Sequence, residues 1–152
     1  MYLEQILELT RENGWAKPQP PCTDSEIERA EKVVGYPFPK ELSALLKETN
    51  GDKWCLMSVD EIIEKVERNR AIWLPLFEED YSREEYIDKV DRFIFFATNG
   101  CGDYYCYRVD TDGVPDETAI YIWEHEYLGE KCWKKVAESM TEFITRYYSS
   151  EI

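Results

Sequence analysis

Residues 95–110 read FFATNGCGDYYCYRVD, and the reading of this stretch decides the fold. Asn99-Gly100-Cys101-Gly102-Asp103 is a candidate for a phosphate loop, a metal loop or a turn between strands. A phosphate loop needs G-x-G-x-x-G opening a helix, so that successive backbone N–H groups converge on the anion. Here a third glycine is missing, and the residues that follow, Tyr104 to Val109, are aromatic and β-branched in the manner of a strand. The segment therefore predicts a hairpin, with Gly100 and Gly102 supplying positive φ or a bulge.

Working outward, strands are predicted over 92–98, 103–109 and 119–123, the last two joined by DTDGVPDET. Residues 132–148 follow, with Val136, Met140, Phe143, Ile144 and Tyr147 at helical intervals, so one closing helix is predicted there. Upstream the grammar is helical. Leu3, Ile6 and Leu7 mark a short first helix that stops at Asn13-Gly14, and WAKPQPPCTD breaks regularity as a loop anchored by Trp15. Thr23 with Glu26 forms a capping box for a helix burying Ile27, Ala30 and Val34 and closed by Gly35. Pro39 opens the next helix, with Leu42, Leu45 and Leu46 inward and Asn50-Gly51 at its end. KWCLM (53–57) is predicted as a strand, and Ser58 with Glu61 caps a helix burying Ile62, Ile63, Val66 and Ile72. Residues 73–92 read as a loop with one helical turn at 82–86. Helices, then a strand meander, then a helix describe a single α+β domain over 1–152. Its antiparallel sheet comprises the meander plus the strand near 53–57, flanked by helices, with a core of 22–148 and helix 1–13 as an appendage.

Charge sets the function class. Eighteen Lys and Arg against 32 Asp and Glu give −14, a field that disfavours direct contact with nucleic acid or anionic membrane and attracts basic partners. Between Asp103 and Glu126 seven acids stand against one base, Arg108, so this segment alone carries −6. The N-terminus lacks the pattern of a signal peptide, and no run approaches the ~20 apolar residues of a membrane span. Five cysteines without a CxxC pair read as reduced thiols in a cytoplasm.

Metal and catalytic patterns are weak. The sole histidine is His125, and the separation of Cys101 from Cys106 tends to put them on opposite sheet faces. DTDG (110–113) is similar to a calcium loop but lacks the third acid and the closing glutamate. A loose cation site at Asp110, Asp112 and Asp116 stays open; no metal or other cofactor is predicted. No Ser or Cys sits in a nucleophile elbow, and no catalytic residue is assigned. What exceeds expectation is five tryptophans and eleven tyrosines. Tyr104-Tyr105 and Tyr121-Ile122-Trp123 place aromatics on both faces of their strands, and aromatic rings among carboxylates suit a protein-binding face.

These residues carry a likeness. TDSEIERAEKVVGYPFPKELSALLKETNG (23–51) resembles the opening of the SUKH superfamily, whose members resemble the yeast cell-wall-synthesis regulator, at Ile27, Glu28, Ala30, Glu31, Gly35, Pro39, Asn50 and Gly51. Its second signature is matched by Phe95-Phe96-Ala97, Gly100, Gly102-Asp103, Tyr105, Tyr107, Ile120-Tyr121 to Trp123, and Ala137 to Phe143. The resemblance covers roughly 22–148. It implies an α+β domain that serves bacteria as a non-enzymatic immunity protein, binding a secreted polymorphic toxin, often a nuclease, in the cytoplasm. The family supplies no catalytic residues, and its binding surface varies between members. The expected partner is thus a basic toxin domain, and the expected contact residues are Asp103, Tyr104, Asp110, Asp112, Asp116, Glu117, Trp123, Glu124 and Glu126. The protein is expected as a monomer or weak dimer. The alternative is a non-enzymatic scaffold or regulatory adaptor for a basic cellular protein.

Overall fold

The computed structural model describes residues 1–80, 82–127 and 129–152. In chain order these are helices α1 (Tyr2–Leu9), α2 (Asp24–Val34), α3 (Lys40–Glu48), α4 (Val59–Asp80) and α5 (Arg83–Tyr86), a π-helical turn (Ile87–Asp91), and strands β1 (Phe93–Thr98), β2 (Tyr104–Arg108) and β3 (Ile120–Trp123). A 3₁₀ turn (Gly129–Cys132), strand β4 (Trp133–Ala137) and helix α6 (Met140–Tyr148) complete the chain. The strands form one antiparallel sheet in the order β1-β2-β3-β4, so the fold is α+β.

Local chemistry explains the helix starts. Thr23 accepts the Glu26 N–H while the Glu26 carboxylate accepts the Thr23 N–H, and Ser58/Glu61 and Ser82/Glu85 repeat the arrangement. Gly35, at φ +96°, ends α2 in the left-handed conformation.

The sheet is covered on both faces. On one, Ile94, Phe96, Tyr105, Tyr107 and Ile120 pack with the inward residues of α1, α2, α3 and α6. On the other, Phe93, Phe95, Cys106 and Trp123 close over Cys132. There α4 lays Lys65 across the Phe95, Tyr104 and Trp123 rings, and the π-helical turn lays Lys89 over Trp123. Helix α1 is not an appendage. Tyr2 and Ile6 sit in the main core, and the Glu48 carboxylate at the end of α3 accepts the Tyr2 and Leu3 N–H groups.

Further expectations are corrected. The segment 53–57 is not a strand; it makes one antiparallel bridge, Leu56 to Ala97. Asp52 Oδ1 accepts the N–H groups of Trp54, Cys55 and Leu56 at 2.8–3.0 Å, curling the chain around a carboxylate and taking donors a ladder would need. Residues 133–137 are a strand, because Trp133 pairs with Trp123 and the helix starts only after Ser139, whose hydroxyl accepts the Glu142 N–H. Residues 73–80 belong to α4, which runs past Pro75, and Ile72 is exposed on the outer face of α4 rather than inward; the helical turn expected at 82–86 forms as α5, and helical structure continues through 87–91. The Cβ that Gly51 lacks would stand 2.8 Å from the Ser58 nitrogen, so that turn admits only glycine.

Candidate protein-binding surface

The glycine turn and the loop after β3 are bolted together at one end of the sheet. Asn99 Oδ1 accepts the Cys101 and Asp103 N–H groups, and Gly100 and Gly102 take φ of +78° and +94°. Asp103 Oδ1 accepts the His125 N–H at 3.2 Å and lies 2.9 Å from the His125 ring Nδ1. That ring rests on Gly102, where a Cβ would come within 3.0 Å of it. Burial alone would raise the Asp103 carboxyl pKa. The hydrogen bonds from His125 and Asn99 outweigh burial and hold it below its ordinary value.

Lys89 secures the same loop from beneath. It is fully buried and donates to the carbonyls of Glu124, His125 and Tyr127. The Trp123 indole Nε1–H in turn donates to the Lys89 carbonyl at 2.7 Å. Burial pushes the Lys89 amine below its ordinary pKa. Lys65, on α4, is pushed down to about 8 by burial and by Arg68, although the three ring faces around it favour its charged form.

At the opposite end, residues 110–117 form an acidic loop. Asp110 Oδ1 accepts the Asp112 and Val114 N–H groups, Asp116 Oδ1 accepts from Thr118, and Glu117 accepts the Lys40 N–H at the start of α3. Asp110, Asp112 and Glu117 are exposed and Asp116 is half-buried. Among the described residues no group of three His, Cys, Asp or Glu side chains is placed to hold a metal ion.

The nine expected contact residues therefore fall into two groups, separated by the length of β2, about 13 Å at 3.3 Å per residue. Asp103, Tyr104, Trp123, Glu124 and Glu126 lie at the glycine-turn end, and Asp110, Asp112, Asp116 and Glu117 at the other. Trp123 is no surface residue. It is 1 % exposed, because α4 and the π-helical turn cover the face that a loop at 73–92 would have left open. Tyr104 is half-buried beneath Lys65, and Glu124 is paired with Lys134 at 3.3 Å. Glu126 is exposed.

A feature the sequence reading missed adjoins the glycine turn. Trp15 and Trp54 stack at 5.4 Å between ring centroids, with 46 % and 49 % of their surface exposed. They wall a groove of about 370 Å³ floored by Tyr105, Ile122 and Tyr147, with Cys101 at its rim. No charged side chain lines it. Both tryptophans were visible as composition, but nothing local signals that two loops so far apart in the chain bring them together. The pairing of His125 with Asp103 braces the loop after β3 against the glycine turn.

The helix-covered four-stranded meander, opened by the Thr23-capped helix and the Asn50-Gly51 turn, is the α+β arrangement that the likeness implied. The profile of the SMI1 / KNR4 family (SUKH-1) matches residues 21–146, and the chain belongs to this family. No curated protein matches the chain. Among the described residues no helix is long and apolar enough to cross a membrane, and all five cysteines are free thiols.

Proposed function

We propose that the protein is an immunity protein that neutralises a secreted toxin by binding it, the toxin being a basic domain of nuclease type. The observation that carries this reading is membership of the SUKH-1 family. The charge supports it: −14 on a chain of 152 residues is complementary to a protein that must itself approach a polyanion. The binding is electrostatically steered, with Asp110, Asp112, Asp116 and Glu117 at one end of the sheet and Asp103, Glu124 and Glu126 at the other supplying the field. The protein acts in the cytoplasm as a monomer or weak dimer and needs no cofactor.

The test is co-purification with the C-terminal domain encoded by the adjacent reading frame, followed by an assay of that domain's toxicity. A tight complex that blocks activity and weakens with rising salt is the expected result. Absence of a complex with every neighbouring product would remove the immunity reading and favour an adaptor for a basic cellular protein.

A further inference from the structure

We infer that the Trp15–Trp54 groove is the anchor of the partner interface, and that it takes an arginine-bearing loop of a basic polypeptide. This rests on the reading of the protein as a toxin-binding module and names the place on it where affinity concentrates.

Two tryptophans side by side, each about half exposed, are an expensive surface feature for a soluble chain, since both rings would gain by burial. Here the fold holds them in place. The Asp52 carboxylate accepts the Trp54 N–H and the next two N–H groups, and Tyr148 on α6 donates its hydroxyl to the same carboxylate. The Trp15 loop is tied to that turn by Lys17 N–H to the Asp52 carbonyl at 2.7 Å and Gln19 N–H to the Gly51 carbonyl at 3.0 Å. Among the described residues the two non-glycine positions with left-handed φ are Lys53, at +57°, next to Trp54, and Ser150, at +60°, in the groove wall. Strained backbone gathered around a rigid aromatic pair is what a preorganised contact site requires, because a side chain already fixed loses little entropy on binding.

The chemistry of the occupant follows from charge. The groove is lined by aromatic, apolar and uncharged polar side chains, and it sits in the field of a chain carrying −14. A cationic side chain is drawn in, and a planar guanidinium stacks on an exposed indole face while its methylenes cover the tyrosine floor. A second copy of the chain would bring another −14 and is repelled; nucleic acid is repelled for the same reason. Trp15 precedes the span that matches the family, so one wall of the groove is built by residues outside that span. Trp, Tyr and Arg are also the residues in which binding energy concentrates at protein interfaces.

The test has two arms. In the first, the isotope-labelled full chain is titrated with an Arg-Gly-Arg-Gly-Arg peptide and with its lysine counterpart. The indole N–H resonances of Trp15 and Trp54 are expected to move, and to move further with arginine. Equal, small shifts spread over both acidic ends with the indoles unmoved would overturn it. In the second, Trp15→Ala, Trp54→Ala and Trp15→Lys are measured against the toxin domain encoded next door, with melting temperature as the control for folding. Losses of about 30-fold or more in affinity are expected, with Trp15→Lys, which leaves an exposed position exposed, at least as severe as Trp15→Ala. Wild-type affinity in all three would sink the groove and leave the immunity reading intact. No binding by the unaltered protein would sink the immunity reading, and the peptide arm alone would then decide the groove. Self-association abolished by Trp54→Ala would assign the groove to a second copy and overturn the inference.

Discussion

Tyr148, near the end of the last helix, donates its hydroxyl to Asp52, a buried carboxylate 96 residues earlier in the chain. The other oxygen of that carboxylate accepts three consecutive backbone N–H groups, so a single side chain closes the turn at 52–56 and ties it to α6. Burial, reinforced by Cys55 and Asp52, holds the Tyr148 phenol far above its ordinary pKa.

Removing this carboxylate leaves three backbone N–H donors, two of them buried, and a hydroxyl unpaired. Asp52→Ala is expected to destabilise the fold by about 3 kcal/mol or more, and Tyr148→Phe by about 1 kcal/mol, since one partner of a buried bond costs more when the remaining groups cannot reach water. Urea unfolding followed by tryptophan fluorescence gives both values. Equal effects from the two substitutions would show that the N–H bonds carry little of the load.

The Asp103–His125 pairing sets the acid limit of the glycine-turn end. Asp103 has a folded pKa below its unfolded value of about 3.9. Its contribution to stability is therefore present above that unfolded value and disappears as pH falls through the lower folded one. Thermal melts between pH 2.5 and 6 should show a shallower acid loss in Asp103→Asn than in the wild type. Parallel curves would mean that Asp103 does not contribute to the acid transition.

Lys89 holds three carbonyls of the β3–β4 loop with one amine. Lys89→Met keeps the volume and removes the donors, at an expected cost of about 1–3 kcal/mol. Hydrogen exchange separates a local from a global effect: the Glu124 and Tyr127 amides should lose protection, while Ile94 and Phe96 in β1 keep theirs. Because the folded pKa of Lys89 is depressed, its charge opposes folding most below that value, and wild-type stability should rise through the folded pKa towards the unfolded one near 10.4.

The acidic loop and the aromatic groove should separate kinetically. Neutralising Asp110, Asp112 and Glu117 to amides is expected to slow association with a basic partner severalfold and to flatten its salt dependence, with dissociation nearly unchanged. Stopped-flow mixing at two ionic strengths makes the measurement. A change confined to the dissociation rate would place these carboxylates inside the contact rather than around it.

Much of the fold is legible in the sequence, and the exceptions have physical causes. Capping boxes at Thr23 and Ser58, the left-handed Gly35 and the hairpin at 99–103 are all written within a few residues, and all form as expected. β4 was hidden because Val136 fits both a helical and a strand period; Ser139 with Glu142 is the local signal that marks the true helix start. The helical character of 73–80 was hidden by Pro75, whose missing donor is one lost bond in a helix of 22 residues packed through Phe77 on Tyr86 and Val90.

By itself the sequence determined the α+β class, three of the four strands, the acidic field and the family, because each depends on composition or on short-range spacing. Only the tertiary structure decided which aromatics face solvent. Trp123 is covered because two helical segments return over its face, and Trp15 meets Trp54 because Asp52 curls one loop and the Lys17 and Gln19 amides dock the other. Such contacts join residues far apart along the chain, and their energy exists only once the backbone has already closed around them.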